Sequence, residues 1–128
     1  MRLLHDEPIA AHTTMRVGGP AARMVVVETP DELVDAVREV DDADEPLLVL
    51  GGGSNLVVAD AGFAGTVVKV ETRGLVVDSL DQCGGANVTV AAGEPWDDVV
   101  ARAVDEGWSG IEALSGIPGS CGATPVQN

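Results

Sequence analysis

Small polar residues in two glycine-rich stretches are the residues of this sequence best suited to chemistry. The first stretch follows the apolar residues 47–50 and consists of Gly51, Gly52, Gly53, Ser54 and Asn55. Glycine loses more backbone entropy on folding than other residues, so three in a row indicate unusual dihedral angles or a close approach of another group. Successive backbone N–H groups, with a hydroxyl and an amide beside them, can surround an anion without a formal positive charge. A tight turn between two strands explains this stretch equally well when it is taken alone.

The second stretch, residues 115–128, strengthens the anion-binding hypothesis. Its glycines and hydroxyl residues include Gly119, Ser120, Gly122 and Thr124. Pro118 and Pro125 restrict its dihedral angles, which lowers the entropy lost on binding. Two such stretches predict a ligand with two linked negative groups, or one pyrophosphate held from two sides.

Other common binding motifs do not fit this sequence. A P-loop needs a Gly-Lys pair, which the sequence lacks. The dinucleotide fingerprint G-x-G-x-x-G needs a third glycine where Leu56 stands, and it needs a helix where the next residues read as a strand. Cys83 and Cys121 have neither CxxC spacing nor a nearby pair of histidines, so we expect no metal site and no disulfide framework.

Composition limits the partners of the chain. Its 128 residues make about one modest domain, with 21 acidic and 7 basic residues and a net charge of −14. Such a surface repels nucleic-acid backbones, but backbone N–H groups could still hold a phosphate-bearing cofactor. The charged start does not fit a signal peptide, and no apolar run approaches the length of about 18 residues that a membrane span needs. We therefore expect a soluble, cytoplasmic protein without nucleic-acid or membrane partners.

The pattern of elements changes near residue 72. Before it, residues 24–27 read as a strand, Thr29 as the N-cap of a helix from Pro30 to about Asp41, and residues 47–50, 56–60 and 65–71 as further strands. This alternation predicts a small α/β unit with parallel pairing. After it, residues 74–80 and 86–93 suit an antiparallel pair joined by a polar, glycine-bearing turn, and residues 94–108 a helix that Gly107 stops.

Three motifs in the order of the chain, "HTTMRVGGPA", "LVLGGGSNLVVADAGFAGTVV" and "AAGEPWDDVVARAVDEGWSGIEALSGIPGSCGATPVQN", resemble the MurB family of UDP-N-acetylenolpyruvoylglucosamine reductases. The resemblance implies an α/β (α+β) fold, the two-subdomain FAD-binding module of the vanillyl-alcohol-oxidase (PCMH) type. Residues 1–71 would form the first subdomain and residues 72–128 the start of an incomplete second one, with the substrate-binding domain absent. Because the sequence ends within a glycine-rich stretch, we also expect it to be a fragment or a truncated gene product.

The same resemblance implies the cofactor and the reaction. FAD would lie non-covalently between the subdomains, with NADPH as the hydride donor and a UDP-sugar as the substrate in peptidoglycan synthesis. Its pyrophosphate would contact Gly51, Gly52, Gly53, Ser54 and Asn55 on one side and Gly119, Ser120, Gly122, Ala123 and Thr124 on the other. The catalytic Arg, Ser and Glu of the family follow the "PVQN" motif, so we assign no catalytic residue to this chain and expect it to be inactive alone.

Several single residues have open or structural interpretations. Arg16 could reach a phosphate or pair with an acid. We interpret His12 as a polar structural residue, Cys121 as a buried inert thiol, and Trp96 and Trp108 as core residues rather than flavin-stacking ones.

Two alternatives to a reductase component stay open from the sequence. One is a non-catalytic truncated module that binds little FAD and self-associates through an exposed apolar surface. The other is a different flavin oxidoreductase of the same superfamily.

Overall fold

A four-stranded mixed sheet organises the first half of the chain. In a computed structural model that describes residues 1–81 and 85–127, its strands are β1 (Arg2–Pro8), β2 (Pro20–Val27), β3 (Leu47–Leu50) and β4 (Phe63–Val70). Their order in the sheet is β1-β2-β4-β3. Strand β4 pairs in parallel with β2 and with β3, as predicted, whereas β1 pairs with β2 in the antiparallel sense.

The prediction of a strand over residues 56–60 is wrong. This segment is a loop between β3 and β4. Its side chains Leu56 and Val58 instead pack on the buried cluster that contains Ile9 and Met24. The apolar residues of this segment are thus explained by their packing on the core and not by pairing in the sheet.

The sheet buries a cluster of apolar side chains on each face. Met24, Leu50 and Val67 lie in the first cluster, and Val25 and Val68 in the second, as the alternation of side chains along a strand requires. The helix α1 (Pro30–Asp42) contributes Ala36 to the second cluster.

Helix α1 begins where the sequence predicts. The Glu32 backbone N–H donates to Thr29 Oγ1 at 3.2 Å, and the Glu28 N–H donates to Glu32 Oε2 at 2.8 Å. Both bonds satisfy backbone donors at the start of the helix, and the bond from the Glu28 N–H is the main reason why the pKa of Glu32 is lowered. The predicted N-cap at Thr29 is therefore confirmed.

A separate antiparallel pair follows the sheet. Its strands are β5 (Leu75–Asp81) and β6 (Gly85–Val90), and the turn that the sequence predicts between them falls in residues 82–84, outside the described residues. The helix α2 (Trp96–Asp105) is shorter than the predicted 94–108, and Gly107 stands just past its end with a φ of 73°. The last stretch contains a 3₁₀ turn, Glu112–Leu114, and the short helix α3 (Thr124–Gln127). Within the described ranges, no helix is long and apolar enough to cross a membrane.

Candidate functional site

The first glycine stretch lies at the carboxyl edge of the parallel strands. It leaves β3 directly after Leu50, and Leu50 is in register with Lys69 near the end of β4. The segment after β4 stays at the same edge, because the Glu71 N–H donates to the carbonyl of Val27, the last residue of β2, at 2.8 Å. In open α/β sheets this edge is where ligands bind.

The two glycine stretches touch each other. A Cβ on Gly52 would lie 2.9 Å from the Cα of Gly119, which leaves no room for a side chain. The Ser54 hydroxyl donates to the Pro118 carbonyl at 3.3 Å. The structure therefore brings both predicted stretches into one continuous surface at the sheet edge.

A third segment packs under the first stretch. Gly53 has a φ of 67°, and a Cβ there would lie 2.0 Å from the carbonyl oxygen of His12. The Thr14 N–H donates to the Gly53 carbonyl at 3.0 Å. Only glycine fits this position, since both its dihedral angle and its neighbour exclude a side chain. The N-terminal motif that contains these residues thus supports the first glycine stretch.

The start of helix α2 anchors the second stretch. The Trp96 N–H donates to the Gly119 carbonyl at 3.0 Å. One oxygen of Asp97 accepts from the Ser115 hydroxyl at 2.9 Å and from the Gly116 N–H at 2.8 Å. The bond from Gly116, followed by that from Ser115, lowers the pKa of Asp97, because both donors stabilise the charged carboxylate.

The polar groups of the second stretch are used unequally. Ser120 and Thr124 are both buried, and the Thr124 hydroxyl donates to the Ser120 carbonyl at 3.1 Å. The Gly122 N–H donates to the Ala92 carbonyl at 2.9 Å. Thr124 and Gly122 therefore hold the stretch together with these groups, and they do not present them to a ligand.

Three of the remaining predicted cofactor residues, Ser54, Asn55 and Ala123, line a separate cavity beside the first glycine stretch. Asn55 is exposed, and it lines a cavity of about 210 Å³ together with Ala123 and Ser54. The ten predicted cofactor residues thus lie around the contact between the two glycine stretches. Some of them form the bonds that fix the stretches, and others line open cavities.

Open backbone donors remain at the contact of the two stretches. Among the described residues, the N–H groups of Gly51, Gly52 and Ser120 have no protein acceptor. Besides the 210 Å³ cavity, two more open beside Gly51 and Gly52, one of about 310 Å³ that Ser120 also lines and one of about 420 Å³ that Thr14 also lines. Unpaired N–H groups beside such a cavity suit an anion.

The structure adds two cations, Lys69 and Arg73, to Arg16, which the sequence already offers as a phosphate contact. Lys69 lines both cavities, Arg73 lines the smaller one and Arg16 the larger one, so three of the 7 basic residues of the chain are here. The carboxylate among the described lining residues of the two cavities is Glu71. Lys69 is the only lysine of the sequence and follows an apolar strand run, a signal that could have pointed to it.

The cations around Glu71 lower the pKa of its carboxylate. Its Oε1 accepts from Lys69 Nζ at 2.5 Å. That hydrogen bond is the main reason why the pKa of Glu71 is lowered, and the charges of Lys69, Arg2 and Arg73 lower it further. The carboxylate therefore stays ionised and holds the ammonium group at the cavity.

Arg16 and His12 belong to the larger cavity but differ in their partners. Arg16 is exposed, with a φ of 54°, and its guanidinium pairs with no acid among the residues that the structure describes. His12 Nε2 lies 2.8 Å from Glu7 Oε1. Of the two interpretations of Arg16, the acid pair therefore has no support in the described residues.

The cysteine and the tryptophans lie in half-buried positions. Cys121 is half-buried rather than buried as expected, and desolvation followed by the charge of Glu94 raises the pKa of its thiol. The Trp96 indole donates to the Leu114 carbonyl at 2.9 Å, and Trp108 lines a cavity of about 490 Å³ between α2 and the β5–β6 pair. Neither ring is a fully buried core residue.

These features fit the pyrophosphate of FAD. A glycine contact that a Cβ would fill leaves the backbone exposed, its N–H groups can donate, and cations line the adjoining cavities. In the described part of the chain, no group of three or more His, Cys, Asp or Glu side chains is placed to hold a metal ion.

Comparisons with known proteins agree with this geometry. Residues 21–128 match a family described as FAD binding domain. The chain is 54% identical over 125 residues to the UDP-N-acetylenolpyruvoylglucosamine reductase of Streptomyces avermitilis, covering 98% of this chain and 33% of that protein. It is 59% identical over 121 residues to the reductase of the same name from Thermobifida fusca, covering 94% of this chain and 34% of that protein.

A solved structure agrees as well. The crystal structure of the UDP-N-acetylenolpyruvylglucosamine reductase (MurB) from Thermus caldophilus matches with a TM-score of 0.67 and 31% identity, over 95% of this chain and 40% of that one. The chain thus spans about a third of the length of the curated relatives that it matches.

Proposed function

Since this chain belongs to the family of FAD-binding domains, we propose that it forms the FAD-binding part of an NADPH-dependent reductase of UDP-N-acetylenolpyruvoylglucosamine. The observation that carries the proposal is the contact of Gly52 with Gly119, which joins the two glycine stretches at the sheet edge. The resemblance to the MurB family and the FAD-binding fold that the motifs predict are confirmed.

In this proposal the chain binds and orients the cofactor. The N–H groups of Gly51, Gly52 and Ser120 donate to the pyrophosphate, and the contact between the two stretches fixes their relative position. When bound, FAD supplies the hydride chemistry that links NADPH to the enolpyruvyl group of the UDP-sugar. The product would be UDP-N-acetylmuramate, which places the parent protein in peptidoglycan synthesis.

The two sheets support the proposed division into subdomains. Strands β1 to β4 all lie within residues 1–71 and form one sheet, and β5 and β6 lie within residues 72–128 and form another. We propose that these ranges are the two FAD-binding subdomains, with the second one incomplete relative to the longer relatives.

The surface supports our proposals about location and partners. A net charge of −14 disfavours nucleic acid and anionic membrane surfaces, which suits a cytoplasmic protein. Val49 and Val126 are 57% and 86% exposed near the same loops, so the isolated chain can self-associate through them.

Retention of FAD by the 128-residue chain tests the proposal. After FAD is added and unbound flavin is removed, we expect the parent chain to keep flavin absorbance bands. Gly52→Val should lose them while its circular dichroism stays unchanged, because the new side chain displaces Gly119. Gly107→Ala is the control, since its Cβ would meet no atom within 4 Å, while its φ of 73° makes it the more strained backbone position of the two.

Two outcomes would contradict the proposal. A folded Gly52→Val chain that retains flavin as the parent does would show that the pyrophosphate lies elsewhere. A folded parent chain without flavin would favour the alternative of a non-catalytic module.

A further inference from the structure

We propose that Lys69 is the cation through which this chain recognises the phosphates of the dinucleotide, and that Glu71 is the positioning residue that holds it. This inference rests on the proposed function, because it assigns a charge partner to the same ligand. It goes beyond the glycine stretches, which supply backbone N–H groups and uncharged polar side chains.

The position of Lys69 singles it out among the basic residues. It lines two of the three cavities beside Gly51 and Gly52, those of about 310 and 420 Å³, whereas Arg16 and Arg73 each line one of these two. Its side chain is 19% exposed, so it is ordered against the protein and still reaches solvent. A ligand that enters the 310 Å³ or the 420 Å³ cavity therefore meets the same ammonium group.

The competing cations are less well suited. The Arg73 guanidinium donates to the Gly93 carbonyl at 2.7 Å and lies 3.5 Å from Glu94 Oε2, so it already braces the turn that precedes α2. Arg16 is exposed in a tight turn and borders the larger cavity only.

Glu71 orders the lysine without using all of its donors. An ammonium group has three N–H donors, and the bond to Glu71 Oε1 occupies one of them. Lys69 and Arg73 line the cavity of about 310 Å³ with Glu71 as its one described carboxylate, so cations outnumber acids there. Lys69 thus keeps donors and net positive charge for a phosphate in an otherwise acidic chain.

Ligand series on charge variants test the inference. Lys69→Gln should weaken the binding of FAD about 10- to 100-fold, and that of ADP in competition with FAD by a similar factor, because each ligand loses a charge-assisted hydrogen bond. Riboflavin, which has no phosphate, should bind Lys69→Gln as it binds the parent chain. The salt dependence of FAD binding should also become weaker, since one screened attraction is gone.

Two further variants separate a direct contact from a general effect. Lys69→Arg should restore most of the FAD affinity because it keeps the positive charge. Arg38→Gln makes the same change of net charge on the exposed face of α1, away from both cavities, and should bind FAD as the parent does.

The outcomes distinguish this inference from the proposed function. Equal FAD affinity and equal salt dependence in the parent and in Lys69→Gln would overturn the role of Lys69 and leave FAD binding intact. An equal loss of riboflavin and FAD affinity would show a structural role for the lysine instead. A folded parent chain that binds neither FAD nor ADP would overturn both proposals.

Discussion

Glu71 links the charge of the site to the stability of the fold. Its carboxylate is bonded to Lys69 at 2.5 Å, and this bond lowers its pKa below the ordinary value of a glutamate. Folding therefore favours the ionised form. The resulting stabilisation is fully present above the ordinary glutamate pKa, and it is lost as the pH falls through the lowered pKa of the folded state.

The contribution of Glu71 to thermal stability should depend on pH in the acid range. Glu71→Gln should lower the Tm relative to the parent at neutral pH, and the two Tm values should converge as the pH falls below the folded-state pKa of Glu71. Thermal unfolding followed by circular dichroism across a pH series measures this. Glu106→Gln, at an exposed glutamate whose side chain has no partner in the described residues, is the control for the change of charge.

A constant difference between the Glu71→Gln and parent Tm values down to the most acidic pH would contradict this account. Such a result would mean that Glu71 acts through packing, since packing does not depend on its ionisation.

At the scale of elements, the start of helix α2 controls the second glycine stretch. Asp97 bonds Ser115 and Gly116, while the neighbouring Asp98 is exposed and bonds no other side chain among the described residues. We expect Asp97→Ala to weaken FAD binding roughly 3- to 10-fold, because the stretch loses two hydrogen bonds to a charged group. Asp98→Ala removes the same charge from the same helical turn and should leave FAD binding unchanged.

Hydrogen exchange locates the effect of the Asp97 substitution. The amides of residues 115–120 should exchange faster in Asp97→Ala than in Asp98→Ala, and those of α1 should exchange alike in both. Faster exchange over the whole chain in Asp97→Ala would instead indicate a loss of global stability.

Some of the helices and strands could be predicted from the sequence and others could not. The N-cap at Thr29, the parallel pairing of β3 and β4, and the stop at Gly107 follow from local propensity and periodicity, which the sequence displays directly. Residues 56–60 have the apolar pattern of a strand, but Leu56 and Val58 pack on the buried cluster from a loop, and this depends on tertiary structure. Strand β1 was missed because most of its residues are exposed, so it lacks a regular apolar period.

The same limit applies to the site. The glycine stretches could be predicted because glycine and small hydroxyl residues are unusual in such density. Gly52 contacts Gly119, and Lys69 is in register with Leu50. Both pairings join residues that are distant in sequence. Sequence spacing does not reveal them, so of the three cations at the site only Arg16 follows from the sequence, as one of its two interpretations.

At the scale of the whole molecule, charge is distributed unevenly. The chain carries a net charge of −14, yet three of its 7 basic residues line the cavities at the glycine loop. FAD is an anion and is repelled by the acidic surface at a distance, a repulsion that salt screens within about 10 Å at 0.1 M ionic strength. The local cations offset this repulsion where the phosphates would lie.

Reductase activity requires more groups than the described site of this chain supplies. The chain spans about a third of the length of its curated relatives. Its described site residues supply backbone donors, hydroxyls, cations, His12 beside Glu7, and one carboxylate already paired with Lys69. Reduction of an enolpyruvyl group also requires a proton donor and contacts to the substrate. We therefore expect the 128-residue chain to bind FAD but not to oxidise NADPH in response to UDP-N-acetylenolpyruvoylglucosamine.

Loss of NADPH absorbance, with and without the enolpyruvyl substrate, measures this directly. The reductase from Thermobifida fusca in the same assay establishes that the substrate is competent. Substrate-dependent turnover by the FAD-loaded chain would mean that residues 1–128 contain a complete catalytic site. A chain that retains FAD without turnover would separate cofactor binding from catalysis, because binding then needs the glycine stretches and their cations, and the chemistry needs groups beyond them.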